Sequence, residues 1–139
     1  MPPQVRRVLY AEDEEDDVLL MKRALREACP QIELIVAHDG QEAIDILSDG
    51  QPRPDWVILD LKMPRRTGLE VLEWIRSHGE IKDLAVTILS SSPEQSDMSR
   101  VQRLGIDRYI VKPVDYQGLL EVVRSLCSRW NAPPRGKLR

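Results

Sequence analysis

Residues 55–64, Asp55-Trp56-Val57-Ile58-Leu59-Asp60-Leu61-Lys62-Met63-Pro64, constrain the fold more than any other stretch. Apolar, strand-forming residues run without alternation into a single carboxylate. Pro64 then blocks further ladder pairing, so a strand must stop near Asp60. A strand apolar on both faces belongs in the middle of a parallel sheet covered by helices on either side. In open α/β sheets, ligands bind just outside the carboxyl ends of such strands. Asp60 therefore stands where a reaction centre is expected. Asp55, at the far edge of the sheet, is a loop carboxylate and not a site candidate.

The remainder of the chain alternates in the same way. Strands are expected at Val5–Ala11, Ile32–Ala37, Leu84–Leu89 and Asp107–Val111. Between them, apolar residues recur at helical spacing: Val18, Met21, Leu25 and Ala28; Ala43, Ile44, Ile46 and Leu47, up to Gly50; Leu69, Leu72 and Ile75; Met98, Val101 and Leu104. The last helix, about Asp115–Trp130, shows Leu119, Val122, Val123, Leu126 and Trp130 on one face. One of Ser90, Ser91 and Ser92, with Pro93 in the first turn, is expected to cap the fourth helix. Five strands alternating with five helices imply parallel pairing through right-handed crossovers. The expected fold is a flavodoxin-like, doubly wound, five-stranded parallel sheet in the order 2-1-3-4-5. One domain over residues 1–130 and a polar, proline-containing, mobile tail over 131–139 complete the expectation.

A length of 139 residues suits a single core. The formal net charge of −3 gives no support to electrostatic binding of nucleic acid. The chain has no apolar run of membrane-spanning length, and its start, Met1-Pro2-Pro3-Gln4, lacks the apolar segment of a secretory signal. A cytoplasmic protein is expected. Cys29 and Cys127 form no CxxC motif and read as reduced, buried thiols.

In a parallel sheet all strand C-termini share one edge. There the first strand offers Glu12 and Asp13, the third Asp60, the fourth Ser90 and the fifth Lys112. Three clustered carboxylates repel one another unless something compensates them. A hard divalent cation such as Mg2+, which prefers oxygen ligands, does so. A carboxylate beside Mg2+ and a lysine stays ionised and can attack phosphorus. The cation and the Lys112 ammonium can then offset charge on the oxygens of a phosphoryl group in transfer. Glu14 to Asp17 read as the solvated start of a helix, favoured by its dipole. His38 and His78 read as surface residues, Arg65-Arg66 as a solvated loop, Trp56 as packing and Trp74 as partly exposed.

Four motifs stand at the ends of strands 1, 3, 4 and 5: Tyr10-Ala11-Glu12-Asp13, Leu59-Asp60-Leu61-Lys62-Met63-Pro64, Ile88-Leu89-Ser90-Ser91 and Tyr109-Ile110-Val111-Lys112-Pro113. Through them the chain resembles the receiver domain of two-component response regulators, over roughly residues 5–128. The resemblance implies that Asp60 accepts a phosphoryl group from a phosphohistidine on a sensor histidine kinase. It implies that Glu12, Asp13, the Asp60 carboxylate and the backbone carbonyl of Lys62 hold Mg2+. Ser90 would hydrogen-bond a phosphoryl oxygen and move toward it, Lys112 would pair with the phosphoryl group, and Tyr109 would change rotamer when Ser90 moves. Such a receiver is a signalling module and not an enzyme with an independent substrate. Ser90 stands where Thr is frequent, and Thr67-Gly68 where Asp-Gly is common. Lys62 and Ser92 flank the path of an attacking water, which bears on phosphate lifetime.

The chain ends after the fifth helix, so a stand-alone receiver acting through protein contacts is expected. Tyr116, Leu120 and Cys127 form a second apolar set on that helix. This surplus suggests an interface, such as a homodimer through helix 4, strand 5 and helix 5. The 12–20 segment, Tyr109–Asp115 and Arg129-Trp130 resemble the single-domain regulators paired with bacterial phytochromes, which implies a light-sensing histidine kinase as partner. The competing reading is a phosphorylation-independent adaptor of the same fold. A phosphatase of the haloacid-dehalogenase pattern would need Asp at position 62, and a flavodoxin phosphate loop would not be as acidic as Glu12–Asp17.

Overall fold

A computed structural model describes residues 5–49, 53–91 and 95–131, with side chains of 95–97 undescribed. Of the residues expected to cap the fourth helix, Ser92 and Pro93 lie outside the described residues, as do the helix end at Gly50, the residues Met1–Gln4 and the tail from 132. The elements are β1 (Arg7–Ala11), α1 (Glu15–Ala28), β2 (Glu33–Ala37), α2 (Gly40–Asp49), β3 (Trp56–Leu59), α3 (Gly68–Arg76), β4 (Ala85–Ser90), α4 (Gln95–Leu104), β5 (Arg108–Val111) and α5 (Tyr116–Asn131). All strands are parallel, in the order β2-β1-β3-β4-β5. The expected sheet is the observed one, with boundaries shifted by a residue or two. Among the described residues no helix is long and apolar enough to cross a membrane.

Successive side chains of each strand point to opposite faces, and both faces are covered. Leu9, Val57, Leu59, Val86 and Ile88 pack under α2, α3 and α4. Val8, Tyr10, Ile58 and Leu89 pack under α1 and α5. Trp56, read as packing, is half-buried, meets Trp130 edge-on at 6.0 Å and donates its indole N–H to Thr87 Oγ1 at 2.9 Å. Trp74 is half-buried and stacks on His78.

The second apolar set of α5 is not a free surface. Leu120 and Cys127 are only 3% and 6% exposed, in the core shared with α1. Tyr116 donates its hydroxyl to Glu27 Oε1 at 2.9 Å and carries the Arg23 guanidinium over its ring. α5 is flanked by the sheet on one side and by α1 on another, so it needs two apolar stripes. The surplus that suggested an interface is therefore spent within the chain. Both cysteines are free and buried, and burial, with Cys29 alongside, pushes the Cys127 thiol up.

α3 begins in a reciprocal cap. Thr67 Oγ1 accepts from Glu70 N at 3.2 Å, and Glu70 Oε1 accepts from Thr67 N at 2.8 Å. This start turns Val71, Leu72 and Ile75 inward, with Leu69 only partly buried. Thr67→Ala is expected to lower stability by about 1 kcal/mol, read as a shift in urea midpoint at unchanged slope; an unaltered midpoint would show the cap to be idle. At the other end of α3, Arg76 donates to the carbonyls of Lys82, Leu84, Leu104 and Gly105 at 2.7–3.2 Å. One guanidinium thus joins the ends of α3 and α4 to the start of β4.

Candidate functional site

The strand register brings the expected residues to one edge. Ala11 pairs with Leu59, Leu59 with Ile88, and Ser90 with Val111. Glu12 N bonds to Ala37 O at 2.9 Å, Asp60 N to Ala11 O at 3.1 Å and Lys112 N to Ser90 O at 2.9 Å. The first residue beyond each strand is thereby fixed as firmly as the strand itself. β3 closes at Leu59, leaving Asp60 just outside the ladder. β4 runs one residue further than expected, so Ser90 is its last member and is fully buried.

Carboxylate oxygens of Glu12, Asp13 and Asp60 all lie within 4.8 Å of one another. Glu12 and Asp60 are buried and Asp13 is exposed, so the cluster opens to solvent on Asp13's side. Lys62 N donates to Asp60 Oδ1 at 3.3 Å, which holds the backbone of Lys62 against the cluster. Three hard oxygen donors at this spacing fit a small divalent cation that keeps several waters. The Ser90 hydroxyl is buried and has no hydrogen-bond partner among the described residues. A buried hydroxyl without a partner is costly, and a phosphoryl oxygen at the site would supply the missing one. Tyr109 is half-buried and packs against the core beneath α4.

Lys112 Nζ stands 2.7 Å from Glu12 Oε1, 2.8 Å from Asp17 Oδ2 and 3.6 Å from Asp60 Oδ2. Burial opposes its charge, but the hydrogen bonds to Asp17 and Glu12 outweigh burial and hold the ammonium protonated above the ordinary lysine range. Burial pushes the Glu12 carboxyl up to about 7, against the pull of Lys112 and of the Glu14 N–H. Burial also raises Asp60, with Lys112 acting the other way. Tyr10 donates its hydroxyl to Glu12 Oε1 at 3.2 Å, and burial beside that acid drives its own pKa upward.

Two readings from sequence need correction here. Asp17 is not merely part of a solvated helix start, because its carboxylate is a direct partner of Lys112. Arg65 is exposed but not simply solvated. It pairs with Asp39 at 2.9 and 3.3 Å, with its backbone at φ 67°, and it holds the Asp39 carboxyl below the usual range. Arg66 Nε donates to Gln41 Oε1 at 3.0 Å. Together they fasten the loop that follows Asp60 to the start of α2. Tyr10 and Asp17 are the site residues that sequence reasoning passed over.

A family model described as the response regulator receiver domain matches residues 8–124. The response regulator Rcp1 of Synechocystis sp. is 30% identical over 134 residues, covering 93% of this chain and 90% of that protein. The polar-differentiation response regulator DivK of Brucella anthropi is 30% identical over 120 residues, covering 86% and 94%. Among solved structures, the phosphorylated cyanobacterial phytochrome response regulator RcpA superposes with a TM-score of 0.84 at 29% identity, covering 91% of this chain and 94% of the other. The Mn2+-bound form of Rcp1 gives a TM-score of 0.83 at 28% identity, covering 95% and 99%. The bacteriophytochrome response regulator AtBRR gives 0.72 at 34% identity, covering 89% and 94%.

Proposed function

Because the chain belongs to the response regulator receiver family of two-component signalling, we propose that Asp60 accepts a phosphoryl group from a sensor histidine kinase in a Mg2+-dependent reaction. The observation that carries this reading is the convergence of Glu12, Asp13 and Asp60 within 4.8 Å, with Lys112 Nζ at 3.6 Å from Asp60. An Asp60 carboxylate oxygen attacks phosphorus as the bond to the phosphohistidine nitrogen breaks, and the imidazole leaves with that electron pair. Glu12, Asp13, Asp60 and the backbone carbonyl of Lys62 would hold Mg2+, which when bound supplies positive charge to the phosphoryl oxygens. Lys112, 3.6 Å from Asp60, supplies a second positive charge. The Ser90 hydroxyl, without a partner among the described residues, donates to a phosphoryl oxygen, and Tyr109, in register with Ile88 on the neighbouring strand, follows its movement.

The partner we favour is a light-sensing, phytochrome-type kinase in the cytoplasm. The support is the similarity to RcpA, a cyanobacterial phytochrome response regulator, and to AtBRR, a bacteriophytochrome response regulator. Output passes through protein contacts on α4, β5 and α5. The chain is a signalling module that turns over no independent substrate.

Incorporation of acid-stable, base-labile phosphate from a small phosphodonor tests the proposal. Labelling is expected with Mg2+ present, and is expected to vanish without it or in Asp60→Asn. Native chain that takes no label from small donors or from histidine kinases would instead support the phosphorylation-independent adaptor.

A further inference from the structure

Lys112 has three ammonium protons and three carboxylates around it, but they are not equivalent. Glu12 at 2.7 Å is fully buried and has two further donors, the Tyr10 hydroxyl and the Glu14 N–H. Asp60, the phosphoacceptor on the reading above, lies at 3.6 Å, outside hydrogen-bond range. Asp17 at 2.8 Å comes from another element, the first turn of α1, and its side chain is 36% exposed. A new anion on Asp60 competes with both close partners for the ammonium, and a shift of Nζ toward it from 3.6 Å lengthens at least one of those contacts. Releasing Glu12 leaves a buried carboxylate short of a partner, which is expensive. Asp17 can be rehydrated where it stands, so it is the partner that lets go.

We infer that Asp17 is a positioning residue that holds the Lys112 ammonium back from the phosphoacceptor until a phosphoryl group arrives, and so competes with that group for the lysine. The inference rests on the phosphoryl-transfer reading and adds a residue to it. The Asp17–Lys112 contact also closes one side of a cleft of about 300 Å3, lined by Tyr10, Leu20, Val114 and Tyr116 among others. The contact also ties the first turn of α1 to the segment after β5, which carries the fully exposed Val114.

Beryllofluoride, a phosphoryl mimic, is the probe, titrated in the presence of Mg2+ against the native full-length chain, Asp17→Asn and Asp16→Asn. Asp16 is exposed in the same helical turn, so its variant removes the same charge without the contact. Asp17→Asn is expected to bind beryllofluoride about five- to tenfold more tightly than the native chain, the scale of one partly exposed charge-assisted hydrogen bond. Asp16→Asn is expected to bind like the native chain. Mg2+ affinity measured alone should change little in either variant, since Asp17 is not among the clustered ligand oxygens. A merely structural Asp17 would lower thermal stability and leave beryllofluoride affinity where it was. That result, weaker binding, or equal tightening in Asp16→Asn would overturn the inference while leaving Asp60 as acceptor intact. A native chain that fails to bind beryllofluoride would overturn both.

Discussion

Lys112→Met is expected to destabilise the chain by about 3 kcal/mol at pH 8, the lower end of the range for breaking a buried ion pair. The loss should shrink markedly by pH 5.5. Lys112 is the cation that meets all of Glu12, Asp17 and Asp60. Removing it leaves Glu12 and Asp60 buried with like charge and without the ammonium that both face. Such groups escape by taking up protons. Burial already raises Glu12 from 4.5 to about 7 with the ammonium in place, and without Lys112 it must rise further. A carboxyl raised on folding keeps its proton in the native state after the unfolded chain has released it. Native chains then bind more protons than unfolded ones, and stability falls with rising pH through that window. For the native protein the fall runs from about pH 4.5 to 7, and for the variant it continues above 7. Urea unfolding at the two pH values decides the matter: an equal loss at both would mean that Lys112 acts by packing and not by charge.

Gly68→Val is expected to cost on the order of 3 kcal/mol and to weaken divalent-cation binding together with stability. A Cβ at Gly68 would stand 2.2 Å from the Asp60 carbonyl oxygen and 2.8 Å from Leu61 Cα. Both obstacles are backbone, so no side chain can swing away. Removing a glycine from a helix ordinarily gains up to about 1 kcal/mol. Here that gain is overwhelmed, because either α3 moves off the sheet edge or the Asp60–Leu61 backbone does. The second movement disturbs the carboxylate cluster directly. Isothermal titration with Mg2+ beside thermal unfolding separates the effects. Lowered melting with unchanged Mg2+ affinity would mean that α3 gives way and the site does not.

The sheet was readable in the residues because buried parallel strands are uninterrupted apolar runs, and Val57-Ile58-Leu59 is one. Glu12, Asp13, Asp60, Ser90 and Lys112 were readable because each follows or ends such a run, and parallel pairing sends all those ends to one edge. Asp17 was hidden by its setting. In an acidic stretch at a helix start the dipole explains every carboxylate equally well. Only the seating of α1 beside the end of β5 singles out the one that reaches Lys112, 95 positions away. Leu120 and Cys127 were misread for a related reason. Periodicity shows that a helix has two apolar stripes, but it does not say whether the second meets another helix or a different molecule. The closeness of Gly68 to Asp60 O was equally out of reach, since a glycine in a turn reads as a conformational need before it reads as a spatial one.

The four-carbonyl grip of Arg76 makes the far end of the molecule a fulcrum. It anchors Leu104 and Gly105, the last turn of α4 and the residue after it, to the start of β4. α4 is ten residues long, and of its residues with described side chains only Val101 is fully buried. The helix is about 15 Å long and is held at the end remote from Asp60. A tilt of about 10° about that end would carry the other end some 2–3 Å, by simple trigonometry on the helix rise. The other end is the one nearest Ser90, so a displacement of α4 that keeps the Arg76 grip is a rotation of the whole helix and not a slide.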